Sequence, residues 1–405
     1  MSQLSPAPGG NRPARGHDPL SVLLVTHYYA EHRGGVEIVA GELASRLAHR
    51  GVRVEWAASR PAPPVAADEQ VRPLPMATCN VTERRLGFPY PIWGPLSVLR
   101  MLRAVRRADL VHLHDSLYLG NAIAYVWARA LGKPILVTQH IGEVPYSSRL
   151  LRGMLWTANH TLGRFVLGGS SQVVFIADKV QAYFSAFTKF RAPPRLIPNG
   201  VERGLFFPVD EPQRRQLREQ LGWESGRPAL LFVGRFVEKK GLRILRELAG
   251  RLPDCQWVFI GWGPDDPSGW GLPNVRTLGA IPHADLPRYY RAADLLVLPS
   301  SGEGFPLVVQ EAMACGTPAL ISPDTASGAA GVEQAALVCE LAPEKLAACL
   351  QDWLARPNDL LARRGVVARY AQDHWDWDAC AARYHELYRR LLPAARQAET
   401  KDEQS

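Results

Sequence analysis

Residues 294–323, DLLVLPSSGEGFPLVVQEAMACGTPALISP, read as strand, loop, helix and strand. DLLVLPS and PALISP are short apolar runs, and Pro306 suits the first turn of the helix between them. A strand, a helix and a second strand form a βαβ unit. Such units build parallel sheets covered by helices on both faces. The stretch also holds two glutamates eight positions apart, Glu303 in the loop and Glu311 in the helix. A fully helical span of that length covers about 12 Å. Carboxylate pairs that cleave glycosidic bonds stand roughly 5–9.5 Å apart. The spacing is therefore long for an acid/base pair, although a loop residue can fold back. Two solvated helix-flanking glutamates satisfy the same pattern, and that reading suits Glu311 better than Glu303. The N–H groups from Gly304 to Leu307 are expected to be unpaired and aimed at a cleft.

The rhythm runs through most of the chain. SVLLVTHYY (21–29) reads as a buried strand, followed by a helical pattern with Val36, Val39, Leu43 and Leu47 on one face. DLVHLH (109–114), PILVTQH (134–140) and QVVFIA (172–177) repeat the strand signal. FRAPPRLIPNG (190–200) interrupts it with three prolines and reads as a link. The pattern then restarts with ALLFVGR (229–235) and QWVFIGWG (256–263). We therefore expect an α/β protein of two doubly wound, Rossmann-like domains. The expected boundaries are a disordered leader at 1–18, a first domain at 19–192 and a second at 193–372. A C-terminal helix at 373–393 should cross back to the first domain, and 394–405 should form a disordered tail.

Bulk properties narrow the class. The 405 residues are 47% apolar and 21% charged, as in a soluble globular chain too long for one core. No apolar run suits a spanning helix, and the N-terminus lacks the apolar core of a signal peptide. The six cysteines are scattered, with no metal-like spacing, and read as buried thiols in a reducing compartment. Residues 1–200 carry 23 Lys+Arg against 12 Asp+Glu, and the remainder 24 against 27. A basic first half beside a near-neutral second implies different partners: an anionic acceptor, an anionic membrane surface or nucleic acid. No nucleic-acid motif supports the last.

Ligands of doubly wound sheets sit at the C-terminal ends of strands, which singles out several loops. Gly34 and Gly35 open a helix after the first strand, where backbone N–H groups can face a phosphate. A ligand-free tight turn fits equally. His112 and His114 share one face of a strand, without a third metal ligand nearby, and suit local hydrogen bonds. His140 ends a strand and points either into the cleft, toward a phosphate or sugar hydroxyl, or to solvent. In VGRFVEKKG (233–241) Arg235 ends a strand and Lys239 and Lys240 open a helix, an anion site suited to a diphosphate.

Together, GGVEIVAGELASRLAHRG, DLVHLH, PILVTQH, IPNGVERGLFFP, VGRFVEKKG, VFIGWGP and EGFPLVVQEAMACGTP make the chain similar to a known family. It resembles the retaining nucleotide-sugar glycosyltransferases of the GT-B fold, glycosyltransferase family 4 type, which include glycogen and sucrose synthases and bacterial mannosyltransferases. The resemblance implies two domains facing a central cleft. It implies that Glu303 and Glu311 are the EX7E glutamates, the first at the donor sugar and the second at the ribose. Gly304, Phe305, Pro306 and Leu307 would hold the sugar and diphosphate by their backbone. Arg235 and Lys240 would neutralise the leaving diphosphate, so no metal or other cofactor is expected. His140 would stand near the reacting carbon, and Gly34 and Gly35 would border acceptor and phosphates. Leu278 to Ile281 would lie at the nucleobase. Four positions depart from the family pattern: Pro306, Glu202, Val52 and the bulky Trp262, which would narrow the donor pocket or stack in it.

Two segments bear on the acceptor. Residues 96–107 put Val98, Met101, Leu102 and Val105 on one helical face and Arg100, Arg103, Arg106 and Arg107 on the other. Residues 147–169 repeat the pattern with Leu151, Met154, Leu155, Ala158, Leu162 and Phe165 beside Arg149, Arg152 and Arg164. Helices packed on the sheet are the plainer reading, and a membrane-resting face is the other. The expected activity is hexose transfer from a nucleoside-diphosphate sugar to a glycan or lipid-linked acceptor in envelope or exopolysaccharide synthesis. The expected location is cytoplasmic, on the inner membrane face. Alternatives are a silent nucleotide-sugar-binding partner, a GT-B epimerase or a glycosyl phosphorylase.

Overall fold

The computed structural model describes residues 19–30, 34–59, 70–79 and 91–392; the expected leader and tail lie outside them. The first sheet holds seven parallel strands: β1 (Ser21–Val25), β2 (Arg53–Ser59), β3 (Val71–Met76), β4 (Leu110–His114), β5 (Ile135–Gln139), β6 (Gln172–Phe175) and β7 (Arg195–Leu196). Their order is β3-β2-β1-β4-β5-β6-β7. Leu23 and Val25 face one hydrophobic cluster, Val22 and Leu24 the other, so β1 is buried on both sides and reads as an unbroken apolar run. The sequence overextends β1, which stops at Val25 where the backbone bends at His27 and Tyr28. The sequence reading missed β3: Pro73 and Pro75 break its signal, and proline is tolerated there because β3 is an edge strand.

The second sheet repeats the plan with six strands: β8 (Ala229–Val233), β9 (Gln256–Ile260), β10 (Val275–Thr277), β11 (Leu295–Leu298), β12 (Ala319–Ile321) and β13 (Leu337–Val338). Their order is β10-β9-β8-β11-β12-β13, all parallel. In each sheet the order reverses at the first strand, and the loops around that reversal form the ligand crevice. β7 belongs to the first sheet, so the proline-rich link contains an edge strand and the first domain extends past residue 192.

Helix α1 (Gly35–Ala48) follows β1, α2 (Leu242–Arg251) follows β8, and α3 (Leu307–Ala314) follows β11. Helix α4 (Trp377–Leu391) returns to the first domain. Its buried residues Trp377, Cys380, Ala381, Tyr384, Leu387 and Tyr388 recur at three- and four-residue spacing and share a cluster with Val39, Leu43 and Leu47 of α1. Fully burying each large side chain contributes roughly 1.5–3 kcal/mol. Arg46 of α1 ion-pairs with Asp378 at 3.0 Å and also with Glu202.

The crossing point is tight. A Cβ on Gly200 would lie 2.4 Å from the backbone N of Trp377 and 2.5 Å from its Cα. We expect Gly200→Ala to lower stability by about 1–3 kcal/mol through overpacking. Gly365→Ala, in an exposed helix position with nothing within 4 Å of the added methyl, should raise stability by about 0.5–1 kcal/mol. Chemical denaturation of both variants checks the pair.

Candidate active site

The loops at the C-terminal ends of the two sheets enclose a cleft of about 770 Å³. From the first domain it is lined by His27, Gly34, Gly35, Glu37 and His140. From the second come Arg235, Lys239, Lys240, Glu303 and the following backbone to Leu307, and Glu311. The structure thus brings the glycine loop, His140, Arg235, both lysines and the Glu303–Glu311 stretch to one cleft. Of the residues expected at the nucleobase, Ala280 and Ile281 line it and Leu278 does not, nor do His112 and His114.

Lys239 and Lys240 differ from expectation in one respect. They do not open the long helix but form a 3-10 turn, Glu238–Lys240, which Gly241 ends in the left-handed conformation before α2 begins. That turn aims both ammonium groups at one carboxylate. Lys239 Nζ lies 3.1 Å and Lys240 Nζ 3.2 Å from Glu303 Oε1. Burial would push Glu303 up, but the two lysines outweigh it and hold its carboxyl down to about 2. Burial lowers the Lys240 pKa despite Glu303, whereas Glu303 outweighs burial and raises that of Lys239. Arg235 lies apart from this pair, its guanidinium 4.9 Å from the ring centroid of Trp262. The bulky residue between Gly261 and Gly263 therefore stacks on a cation.

Glu311 is engaged elsewhere. His283 Nε2 lies 2.7 Å from its Oε1, and the Tyr290 hydroxyl donates to its Oε2 at 2.8 Å. Glu303 and Glu311 share no partner. Between them, α3 begins at Leu307 with Pro306 as its N-cap. The expected row of free N–H groups needs one correction: Pro306 has none. Hydrogen bonds among the described residues use none of the N–H groups of Gly304, Phe305 and Leu307. Gly304 sits against the other domain, where a Cβ would meet the His140 carbonyl oxygen at 2.5 Å.

The histidines make more than local bonds. His140 Nε2 and His114 Nδ1 are 2.9 Å apart. His112 bonds the Tyr388 hydroxyl through Nδ1 at 2.7 Å and Thr138 Oγ1 through Nε2 at 2.8 Å. Thr138 Oγ1 in turn meets the Tyr384 hydroxyl at 2.9 Å, so α4 is bonded to the strand ends beneath the cleft. Burial pushes both His112 and His140 down to about 3, which keeps these rings neutral.

Two carboxyls were missed. Asp115 follows β4 in the left-handed conformation, φ 66°, and its Oδ1 accepts from the His140 N–H at 2.7 Å. Burial raises its pKa to about 7, against backbone N–H groups and Lys239 that lower it. Glu37, in the first turn of α1, is also raised to about 7 by burial. Both were findable: Asp115 directly follows DLVHLH, and Glu37 lies two residues beyond Gly35.

Asp115→Asn keeps an acceptor for His140 N and tolerates the left-handed backbone. It should retain near-wild-type stability, whereas Asp115→Ala should lose about 2–3 kcal/mol from the lost bond and the strained φ. Denaturation of the two variants separates these outcomes. For Glu303 the folded pKa is depressed, so its stabilising contribution is present above the unfolded value of 4.5 and lost as pH falls through about 2. Glu303→Gln should remove that part of the acid-side fall in stability, read from denaturation across this range.

Residues 33–204 match the family model described as Glycosyltransferase Family 4, and residues 227–356 the model described as Glycosyl transferases group 1. The D-inositol 3-phosphate glycosyltransferase of Kineococcus radiotolerans is 29% identical over 89% of this chain and 91% of its own length. The putative teichuronic acid biosynthesis glycosyltransferase TuaC of Bacillus subtilis is 29% identical over 52% of each chain. Among solved structures, sucrose-phosphate synthase from Thermosynechococcus elongatus superposes with a TM-score of 0.75 at 23% identity, covering 92% of this chain and 99% of that one. Anabaena Alr3699/HepE in complex with UDP and glucose gives 0.71 at 17% identity, covering 91% and 99%. These structures share the fold of two facing Rossmann-like domains. With both domains matched, the chain belongs to the GT4-type glycosyltransferases and has the GT-B fold.

Proposed function

We propose that this glycosyltransferase moves a hexose from a nucleoside-diphosphate sugar to a hydroxyl of a glycan or lipid-linked acceptor, with retention of configuration, in envelope or exopolysaccharide synthesis. The observation that carries the reading is the convergence of Arg235, Lys239, Lys240 and the free N–H groups of Gly304, Phe305 and Leu307 on one cleft. Preorganised cations and amides suit the charge that develops on a departing diphosphate. The complexes of Alr3699/HepE with UDP-glucose and with UDP support a donor of this class. The teichuronic acid relative supports polymer synthesis.

In this reading Arg235 and Lys240 hold the diphosphate, which takes the electron pair of the breaking C1–O bond. The acceptor oxygen bonds C1 on the same face and its proton passes to the departing phosphate oxygen. Positive charge from the arginine and the lysines neutralises the leaving group, so the proposal includes no metal. Glu303, held near pKa 2, is ionised at neutral pH and is a poor proton donor. It accepts hydrogen bonds from the sugar instead. His140 is neutral and shares in binding that sugar. Glu311 accepts from the ribose hydroxyls through lone pairs that His283 and Tyr290 leave open. Gly34 and Gly35 border the acceptor and the phosphates.

Thermal-shift screening against UDP-, GDP- and ADP-sugars tests the donor. At least one should raise the melting midpoint, and a response to none would overturn the proposal. Lys240→Ala should cost roughly 10²–10³-fold in kcat, by analogy with loss of one preorganised stabilising donor. Lys239→Ala should cost far less, and equal losses would misplace the phosphate clamp.

A further inference from the structure

The first sheet carries three helical segments on one face, the side of Leu23, Val25, Val111 and Leu113. They are residues 95–107, 119–130 and 149–169, and their inward residues Met101, Val105, Ala124, Ala128, Val166 and Leu167 join that cluster. Neighbours in this layer touch: the Tyr125 and Phe165 rings are edge-to-face at 5.4 Å. The outer surface of the layer is unusual in two ways.

First, the helix Arg149–Ala158 has no buried residue at all. It was expected to pack on the sheet. Instead Leu150 is 75% exposed, Met154 61%, Trp156 55% and, just beyond, Phe165 63%. Leu96 and Leu99 extend the apolar surface on the first helix, at 81% and 51%. Single exposed apolar residues need no explanation, but a helix whose inner residues Leu151, Leu155 and Ala158 are only half-buried while so many apolar side chains face out does. Second, none of the three segments contains an aspartate or glutamate, while together they hold eight arginines. Arg107 is engaged by Glu55 at 3.1 Å and Arg100 by the Pro75 carbonyl at 3.0 Å. No ion pair among the described residues involves Arg149, Arg152 or Arg164, which flank the exposed apolar residues.

We propose that this helical layer docks on an anionic lipid bilayer, with Leu150, Met154, Trp156 and Phe165 entering the headgroup boundary and Arg149, Arg152 and Arg164 meeting lipid phosphates. Apolar side chains interleaved with cations, and no carboxylate to repel an anionic headgroup, are the chemistry of an interfacial helix. No helix of the described residues is long and apolar enough to cross a membrane, so attachment is to one surface. The position suits this use. Residues 141–148 lead from His140 directly to the helix, and Val144 and Pro145 on that loop stand against Gly302 beside Glu303. Docking brings the cleft mouth to the bilayer, which, resting on the function proposed above, favours a lipid-linked acceptor.

The full chain should float with vesicles of phosphatidylcholine and 30% phosphatidylglycerol at low salt. It should be released by about 0.5 M salt and should ignore pure phosphatidylcholine. Changing Arg149, Arg152 and Arg164 together to Gln should weaken partitioning roughly 100-fold, about 5-fold per arginine. Met154→Glu with Phe165→Glu should abolish it. These side chains are exposed, and circular dichroism of the variants checks that they fold. Arg243→Gln with Arg246→Gln, on the exposed side of α2, should leave binding unchanged. The idea fails if the chain does not bind anionic vesicles at low salt, or if the control pair weakens binding equally. It fails too if the face variants only convert a dimer to a monomer, which would make this layer an interface between copies. Vesicle binding is read without substrate, so failure of the donor assignment leaves the result interpretable.

Discussion

The return of α4 to the first domain is the constraint on which the rest depends. A cleft between two doubly wound sheets is useful only if their C-terminal edges face each other. Residues 193–200 alone do not fix that orientation. The buried face of α4 against α1, the close passage of Gly200 beneath Trp377 and the ion pairs of Arg46 do so by joining the chain's end to its beginning. The same helix supplies Tyr384 and Tyr388 to Thr138 and His112, so the element that sets domain geometry also hydrogen-bonds the strand ends under the cleft.

The two halves of the cleft differ in how they treat charge. The second domain gathers cations around one ionised carboxylate, a polarised arrangement whose charges are already paid for within the fold by Lys239, Lys240 and Glu303. The first domain does the reverse. Burial keeps His112 and His140 neutral and raises Glu37 and Asp115 to about 7, so its polar groups carry little net charge below neutrality. In the function proposed above, a charged ligand would meet the second domain and a hydroxyl-bearing one the first.

Much of this was legible in the chain. The alternation of apolar runs and helical periods gave both sheets, because strands buried on two faces cannot hide their composition. The glycine, lysine and glutamate loops were legible because the rule about strand ends points at them. β3 escaped notice because its prolines break the apolar signal. The exposure of Arg149–Ala158 escaped because periodicity shows that a helix has an apolar face, not what covers it. Asp115 and Glu37 escaped because a single acidic residue carries no period, and burial alone makes it unusual.

By itself, then, the sequence determined the βαβ order, the two-domain plan and the residue types offered to the cleft, since these follow from local pattern and composition. Tertiary structure alone decided their pairing. Glu303 and Glu311 lie eight positions apart in EGFPLVVQE, yet one faces two lysines and the other a histidine and a tyrosine. Side chains on a loop and on the helix that follows point in different directions, and their partners come from segments up to 64 residues away, Lys239 and Glu303 among them. Spacing along the chain could propose a pair. Only folding could assign each carboxylate its neighbours, and with them its charge.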